Sequence, residues 1–322
     1  MKKIITTVGP SLLHKVPLNS VHHNRNIYRI NGAHGSIKNI EEYIIEIRKQ
    51  IPDAEILMDL PGNKVRTSNF HEGVEIYNGK ILKLRFNQTN YKKFYTHLNH
   101  GDIVWANDST FKFIVSKVNE KEKVIELKSE SDGILQNNKG MHVRGIHSNI
   151  PFLFDKDKDL IELANKHNLS YVGLSFVRNI ADIKEAKELI NKDIKIISKV
   201  ETKSAVENLT DILNEVEFIL VDRGDLSTEI GLEKIPSYQA FIVNKAIFYN
   251  KKVFLATQFL KNMEINPIPT IPEVIDMYNT LQSGIYGIQM SEETAIGKYP
   301  KECLDVIIKL MNEINEKKHN RY

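Results

Sequence analysis

Three observations in the sequence predict an α/β protein whose parallel strands close into a barrel. Eight short β-branched runs recur along the chain, amphipathic stretches with helical spacing lie between them, and one long segment breaks that rhythm. The runs are Ile4–Val8, Ile27–Ile30, Ile56–Met58, Tyr171–Leu174, Ile194–Ile197, Phe218–Val221, Val253–Leu255 and Ile285–Ile288. Compact apolar runs of this kind suit strands buried on both faces, as parallel strands are. A count of eight favours a closed (β/α)8 barrel of the TIM type over an open sheet.

The intervening stretches read as helices. Ile180, Ile183, Ala186 and Ile190 recur at helical spacing, with Asp182 in the first turn. Asp155 is the expected N-cap of a helix that turns Leu160, Leu163 and Ala164 inward. Leu304, Ile307, Ile308, Met311 and Ile314 form a last apolar stripe after Pro300. The exception to the rhythm runs from Thr67 to His147, where polar and apolar residues alternate, as in Gly101-Asp102-Ile103-Val104-Trp105, and glycines punctuate the chain. It reads as a small β domain, residues 67–147, inserted after the third strand of a barrel formed by residues 1–66 and 148–322.

Composition excludes several classes. Of 322 residues, Lys+Arg number 44 and Asp+Glu 41, a net charge of +3 that provides no basic stripe for nucleic acid. Hydrophobic residues at 41% and charged ones at 26% describe an ordinary globular chain. The single cysteine, Cys303, cannot form an internal disulfide, which fits a reducing compartment. No apolar run approaches the roughly 20 residues a membrane helix needs, and Gly9-Pro10 breaks the short apolar start too early for a signal peptide. The expected location is the cytoplasm, with no membrane partner.

In a parallel barrel the reactive groups come from the C-terminal ends of the strands. The residues following the runs here are polar throughout: Gly9-Pro10, Asn31 to His34, Asp59 to Arg66, Ser175 to Arg178, Lys199-Val200-Glu201, Asp222 to Asp225, Thr257-Gln258 and Ser291 to Thr294, with Arg29 at the end of the second run. Core packing does not demand such a set, so a polar active site is the expectation. Glu201 and Asp225 stand one βα unit apart and are expected to top adjacent strands about 5 Å from each other. Two such carboxylates repel unless a cation lies between them, and oxygen ligands suit Mg²⁺ or Mn²⁺ rather than zinc. The alternative is that each pairs with a neighbouring Arg or Lys.

Lys199 shares a strand face with Glu201. Its ammonium could neutralise a transferring phosphoryl group or protonate an enolate; a Schiff base, or a plain ion pair with Glu201, is the rival. Gly224-Asp225-Leu226-Ser227 reads as a tight turn opening a short helix whose free N–H groups would hold a carboxylate or phosphate.

Several of these segments, in this order, resemble pyruvate kinases. They are Thr7-Val8-Gly9-Pro10, Arg29-Ile30-Asn31-Gly32-Ala33-His34-Gly35, Asp59 to Thr67, Lys199-Val200-Glu201, Arg223-Gly224-Asp225-Leu226, Ala256-Thr257-Gln258 and Met290-Ser291-Glu292-Glu293-Thr294-Ala295. The resemblance implies a barrel with an inserted β-barrel lid, phosphoenolpyruvate and pyruvate as substrate and product, and ADP and ATP as the nucleotide pair. It implies that Glu201 and Asp225 bind Mg²⁺, that Lys199 aided by Arg29 stabilises the phosphoryl group, and that Thr257 serves protonation of the enolate. Substrate contacts would involve Ser175, Gly224, Asp225 and Thr257. Asn31, His34, Pro10, Arg66 and, from the lid, Lys139 would face the nucleotide, and Asp108 resembles an acidic position at the family's cleft, with a plain turn residue the equal alternative.

The departures carry their own expectations. Around the family's monovalent-cation region, near Asn31 and Asp59, Ala33 replaces serine, Leu60 replaces threonine and Lys64 stands where K⁺-dependent members have glutamate, so K⁺ is not expected to be required. Asp222 replaces a small residue beside the substrate-carboxylate turn and would oppose an anionic substrate or favour an amine or hydroxyl. Ser227 and Glu292 replace glycines. The chain ends after the eighth βα unit, so effector control by a further C-terminal domain is not expected and a homo-oligomer is left open. Metal-dependent 2-oxo acid aldolases and lyases, which act through a pyruvate enolate, share Glu201 and Asp225 but lack Lys199, the lid and the Asp59–Thr67 motif; a ligand-sensing relative is the non-catalytic alternative.

Overall fold

The computed structural model describes residues 2–107, 110–143 and 150–319; Asp108 lies outside them. In chain order the elements begin β1 (Lys3–Thr7), α1 (Leu18–Val21), β2 (Asn26–Asn31), α2 (Ile37–Gln50) and β3 (Ile56–Asp59). Seven short strands follow: β4 (Val74–Ile76), β5 (Ile81–Arg85), β6 (Ile103–Ala106), β7 (Phe111–Asn119), β8 (Val124–Ser129), β9 (Gly133–Leu135) and β10 (Met141–His142). The βα rhythm then resumes with α3 (Asp155–Lys166), β11 (Tyr171–Leu174), α4 (Ile180–Leu189), β12 (Lys195–Val200), α5 (Lys203–Glu207), α6 (Leu209–Glu215) and β13 (Phe218–Asp222). The last elements are α7 (Arg223–Ile230), α8 (Ile235–Phe248), β14 (Lys252–Ala256), α9 (Ile271–Gln282), β15 (Gly287–Met290), α10 (Glu292–Ala295) and α11 (Pro300–His319).

Eight parallel strands close in the order β1-β15-β14-β13-β12-β11-β3-β2. All eight expected runs are strands, which establishes the (β/α)8 barrel. Two lie later than the apolar residues indicated: β12 reaches Val200 rather than ending at Ile197, and β15 begins at Gly287 rather than Ile285. The first shift matters, because it carries Lys199 into the strand.

Alternate strand residues serve two cores. Ile5, Ile27, Leu57, Tyr171, Ile197, Phe218, Leu220 and Phe254 form one buried cluster, while Ile4, Ile30, Met58, Val172, Val200, Val221 and Leu255 join the apolar faces of the helices in another. Strand side chains alternate with period two, so the first cluster fills the barrel and the second lies between sheet and helices. Cys303 is buried on α11 in that outer layer.

Several helices start where a side chain accepts from their first N–H groups. Ser36 and Asn39 form a reciprocal capping box on α2, as do Thr270 and Glu273 on α9. At α3 the structure corrects the expectation for Asp155, which is the first helical residue. The capping carboxylate is Asp157, whose Oδ2 accepts from Phe154 N at 2.8 Å and whose Oδ1 accepts from Gly62 N at 2.9 Å. Asp182 is likewise more than a dipole partner: it is buried and takes Arg178 Nε at 2.9 Å and a terminal nitrogen at 2.6 Å.

The second compact unit comprises Asn63–Pro151. It holds a five-stranded antiparallel sheet, order β10-β6-β7-β8-β5, and the separate pair β4-β9. The alternation seen in the sequence gives this sheet one apolar face: Leu82 pairs with Leu127, Leu84 with Ile125 and Val115 with Leu127, all buried. No helix among the described residues is long and apolar enough to cross a membrane.

Asp157 supplies a stability test. Burial, offset in part by its two backbone donors and Lys156, raises its carboxyl to about 6. A carboxyl whose folded value exceeds its unfolded value contributes less stability as pH rises from about 4 to 6. Asp157→Asn should erase that segment of the stability-versus-pH curve. It should also cost about 1–3 kcal/mol at pH 7, because an amide can accept from only one of the two donors. Urea melts at several pH values read both effects.

Candidate active site at the C-terminal ends of the strands

The barrel interior changes character at its C-terminal end. One step beyond Ile5, Ile27, Leu57, Ile197 and Leu220, on the same strand faces, stand Thr7, Arg29, Asp59, Lys199 and Asp222. An apolar layer therefore gives way to a polar and largely charged layer, all of it buried.

Lys199 is its centre. Its Nζ donates to Ser175 Oγ at 3.0 Å and lies 3.1 Å from Glu201 Oε2, 3.8 Å from Asp59 Oδ2 and 3.8 Å from Asp222 Oδ2. Burial alone would lower its pKa, but Asp59, Glu201, Asp222 and Asp225 outweigh that and hold the ammonium well above its ordinary range. Arg29 is committed elsewhere: Nε and a terminal nitrogen contact Asp59 Oδ2 at 2.7 Å, and the other terminal nitrogen donates to Thr7 Oγ1 at 2.8 Å.

Glu201 follows β12 directly and is wholly buried. Oε1 accepts from Phe176 N at 2.7 Å, while Oε2 receives no hydrogen bond. Burial pushes its carboxyl up despite the pull of Lys199. Carboxylate oxygens of Glu201, Asp222 and Asp225 converge within 4.8 Å of one another. Asp225, however, does not top a strand: it sits in the first turn of α7, and the acid that ends β13 is Asp222.

The same segment shows a second difference from the sequence reading. The expected free N–H groups of α7 have acceptors within the chain. Asp222 Oδ1 accepts from Gly224 N at 3.1 Å and Asp225 N at 3.4 Å, and Thr257 Oγ1 accepts from Gly224 N at 3.0 Å. Aspartate is a strong N-cap residue, so the substitution that looked like a substrate contact is in the first place a helix cap.

Thr257 stands just past β14 at φ 73°, in the left-handed region, followed by Gln258 at φ 56°. A β-branched residue there is strained. Arg223 restrains it: the guanidinium donates to the Ala256 and Thr257 carbonyls, pairs with Asp276 at 2.9 Å and stacks 4.1 Å over the Phe259 ring. Arg223 belonged to a recognised motif, but nothing in the sequence linked it to Asp276 or to the Thr257 backbone. Thr7 and its bond to Arg29 were missed in the same way.

The remaining candidates are placed on each unit by itself. Asn31 ends β2 across from Asp59, and its Oδ1 accepts from Ala33 N at 3.0 Å; Pro10 and His34 are exposed. Within the second unit, Arg66 N donates to Asn90 Oδ1 at 2.7 Å, the Lys139 backbone pairs with Thr67, and the Lys64 carbonyl accepts from Asn90 Nδ2 at 3.1 Å.

A closed parallel barrel with a buried lysine and converging acids at the C-terminal ends of its strands has the layout of (β/α)8-barrel enzymes. Comparison with known proteins names its kind. Residues 1–304 match the family described as pyruvate kinase, barrel domain. Similar curated proteins are pyruvate kinases of Thermotoga maritima, 32% identical over 98% of this chain and 71% of the relative, and Borreliella burgdorferi, 32% identical over 100% and 69%. Another, from Thermococcus litoralis, is 31% identical over 98% and 70%. The chain belongs to the pyruvate kinase family, and with it to kinase-like enzymes.

Arg223→Ala should lower stability by about 2 kcal/mol through loss of charge-assisted bonds to the part-buried carbonyls of Ala256 and Thr257. Because the Thr257 backbone loses its restraint, hydrogen exchange at 256–258 should quicken. Unchanged exchange there would assign Arg223 no part in holding that turn.

Proposed function

We propose that this chain is a magnesium-dependent phosphotransferase that exchanges a phosphoryl group between phosphoenolpyruvate and ADP, giving pyruvate and ATP. The observation that supports it most is Lys199, a buried ammonium 3.1 Å from Glu201 and held charged by a converging group of carboxylates. Three carboxylates with no histidine or thiolate among them suit a small hard cation, and the buried Glu201 Oε2 without a hydrogen bond leaves a lone pair for one. Glu201 and Asp225 would hold Mg²⁺ or Mn²⁺, which when bound supplies charge neutralisation at the oxygens of the transferring group.

The chain's own groups complete the reading. Lys199, oriented by Ser175, offsets negative charge that builds on the phosphoryl oxygens. Arg29 stiffens the same layer through Asp59. By family resemblance the Thr257 hydroxyl, which accepts from Gly224 N and donates to the Ala256 carbonyl, would relay a proton through water to the enolate carbon. Gly224 and Asp225 face the substrate. By family resemblance, Asn31, His34 and Pro10, and within the second unit Arg66 and Lys139, are assigned to the nucleotide phosphates. Lys64 stands at the sequence position associated with independence of K⁺.

Pyruvate release from phosphoenolpyruvate with Mg²⁺, with and without ADP, tests this reading. ADP-dependent ATP formation is the expected result; pyruvate formed from oxaloacetate without nucleotide would replace it with a lyase, and silence in both would end it. Lys199→Met should lower kcat by about 10²–10³-fold while Mn²⁺ binding is retained; equal loss of both would make Lys199 structural. Turnover in KCl should match that in choline chloride of equal ionic strength.

A further inference from the structure

We propose that Gln289 is a positioning residue that holds the water through which the enolate receives its proton. The inference rests on the phosphotransferase reading of the site and on the relay assigned there to Thr257. Gln289 lies on β15, where its backbone pairs with Ile5 on one side and Ala256 on the other. Both neighbours belong to the cluster inside the barrel, so Gln289 turns its amide into the same interior. It is 1% exposed, and among the described residues no donor reaches its Oε1. A buried amide oxygen without a donor is costly, and beside Ile5 and Ala256 a hydrocarbon side chain would serve packing better. The polar group is therefore explained by a ligand that donates to it.

Register identifies the neighbour that such a ligand would join. Ala256, the β14 partner of Gln289, contributes only a methyl group, and Thr257 follows it directly in the chain. Adjacent strands lie about 4.8 Å apart, a span that one water crosses with two hydrogen bonds of about 2.8 Å. Such a water places one hydrogen on Gln289 Oε1 and accepts from the Thr257 hydroxyl, which turns from the Ala256 carbonyl to reach it. Its second hydrogen is left for the substrate. In the step, the water gives that proton to the enolate carbon as it takes one from Thr257, whose proton solvent replaces. The enolate electron pair becomes the new C–H bond of the pyruvate methyl group. Gln289 neither gains nor loses a proton; it fixes where the water stands.

Exchange of the pyruvate methyl protons for deuterium, followed by NMR in D₂O with Mg²⁺, isolates the proton step. It is measured beside ATP formation and urea unfolding for wild type, Gln289→Met and Gln289→Asn. Methionine has nearly the same shape without the amide, so exchange should slow by at least about tenfold, part of the roughly 10²–10⁴ that a placed proton donor contributes. The KM for phosphoenolpyruvate should stay within about twofold, and the urea midpoint should hold or rise because an unpaired buried oxygen is gone. Gln289→Asn keeps a carbonyl one methylene further back. It should retain more exchange than methionine, and it reads the role if the methionine variant does not fold. Unchanged exchange in a folded variant, or a loss that tracks a lowered urea midpoint in both, would overturn the role of Gln289. So would a wild type that forms ATP without exchanging the protons. Absence of both ATP formation and exchange in wild type would instead overturn the phosphotransferase reading, and this inference with it.

Discussion

The structure turns on one buried ammonium. Lys199 lies at the centre of Asp59, Glu201 and Asp222, and without it those carboxylates would share a dry space with only Arg29 to offset them. Removing one member of a buried ion group costs more than forming the group returns, because the partner charges remain desolvated. The layer therefore acts as a unit in which each residue justifies its neighbour's charge. It is built by the strand period: the face that carries Ile197 into the barrel core carries Lys199 to the end of the barrel, and the same holds for Leu57 and Asp59 or Leu220 and Asp222.

That unit explains why a single substitution at position 222 has two consequences. As a cap, Asp222 satisfies the first N–H groups of α7 and stabilises the helix that presents Asp225. As a charge, it adds a third carboxylate to a pair that a divalent ion could balance. The left-handed backbone of Thr257 is held by Arg223, Asp276 and Phe259, an investment of packing in the position of one hydroxyl.

Much of the scaffold was legible in the sequence because it is repetitive. Eight apolar runs, each shorter than a helix needs and flanked by helical patterns, leave few topologies open, and all eight are strands of one closed barrel. Errors arose at boundaries, where hydrophobicity is a poor guide. Lys199 extends β12 although it is charged, because its backbone pairs with Leu220 while its side chain finds carboxylates at the barrel end. Asp155 was the apparent cap of α3 by position, yet Asp157 reaches the free donors, and one of those donors is Gly62, far away in sequence.

The sequence by itself determined the strand faces, and hence which residues reach the C-terminal end of the barrel, since side-chain direction along a strand follows from counting by two. It also determined the family, because ordered motifs survive where overall identity is near 30%. Only the tertiary structure decided partnership: that Arg29 is taken by Asp59, that Asp222 turns to the amides of α7, and that Arg223 clamps Thr257. The physical reason is that a buried polar group accepts whichever partner the fold brings within about 3 Å. Which strands and loops meet there is settled by closure of the whole barrel rather than by any local run of residues.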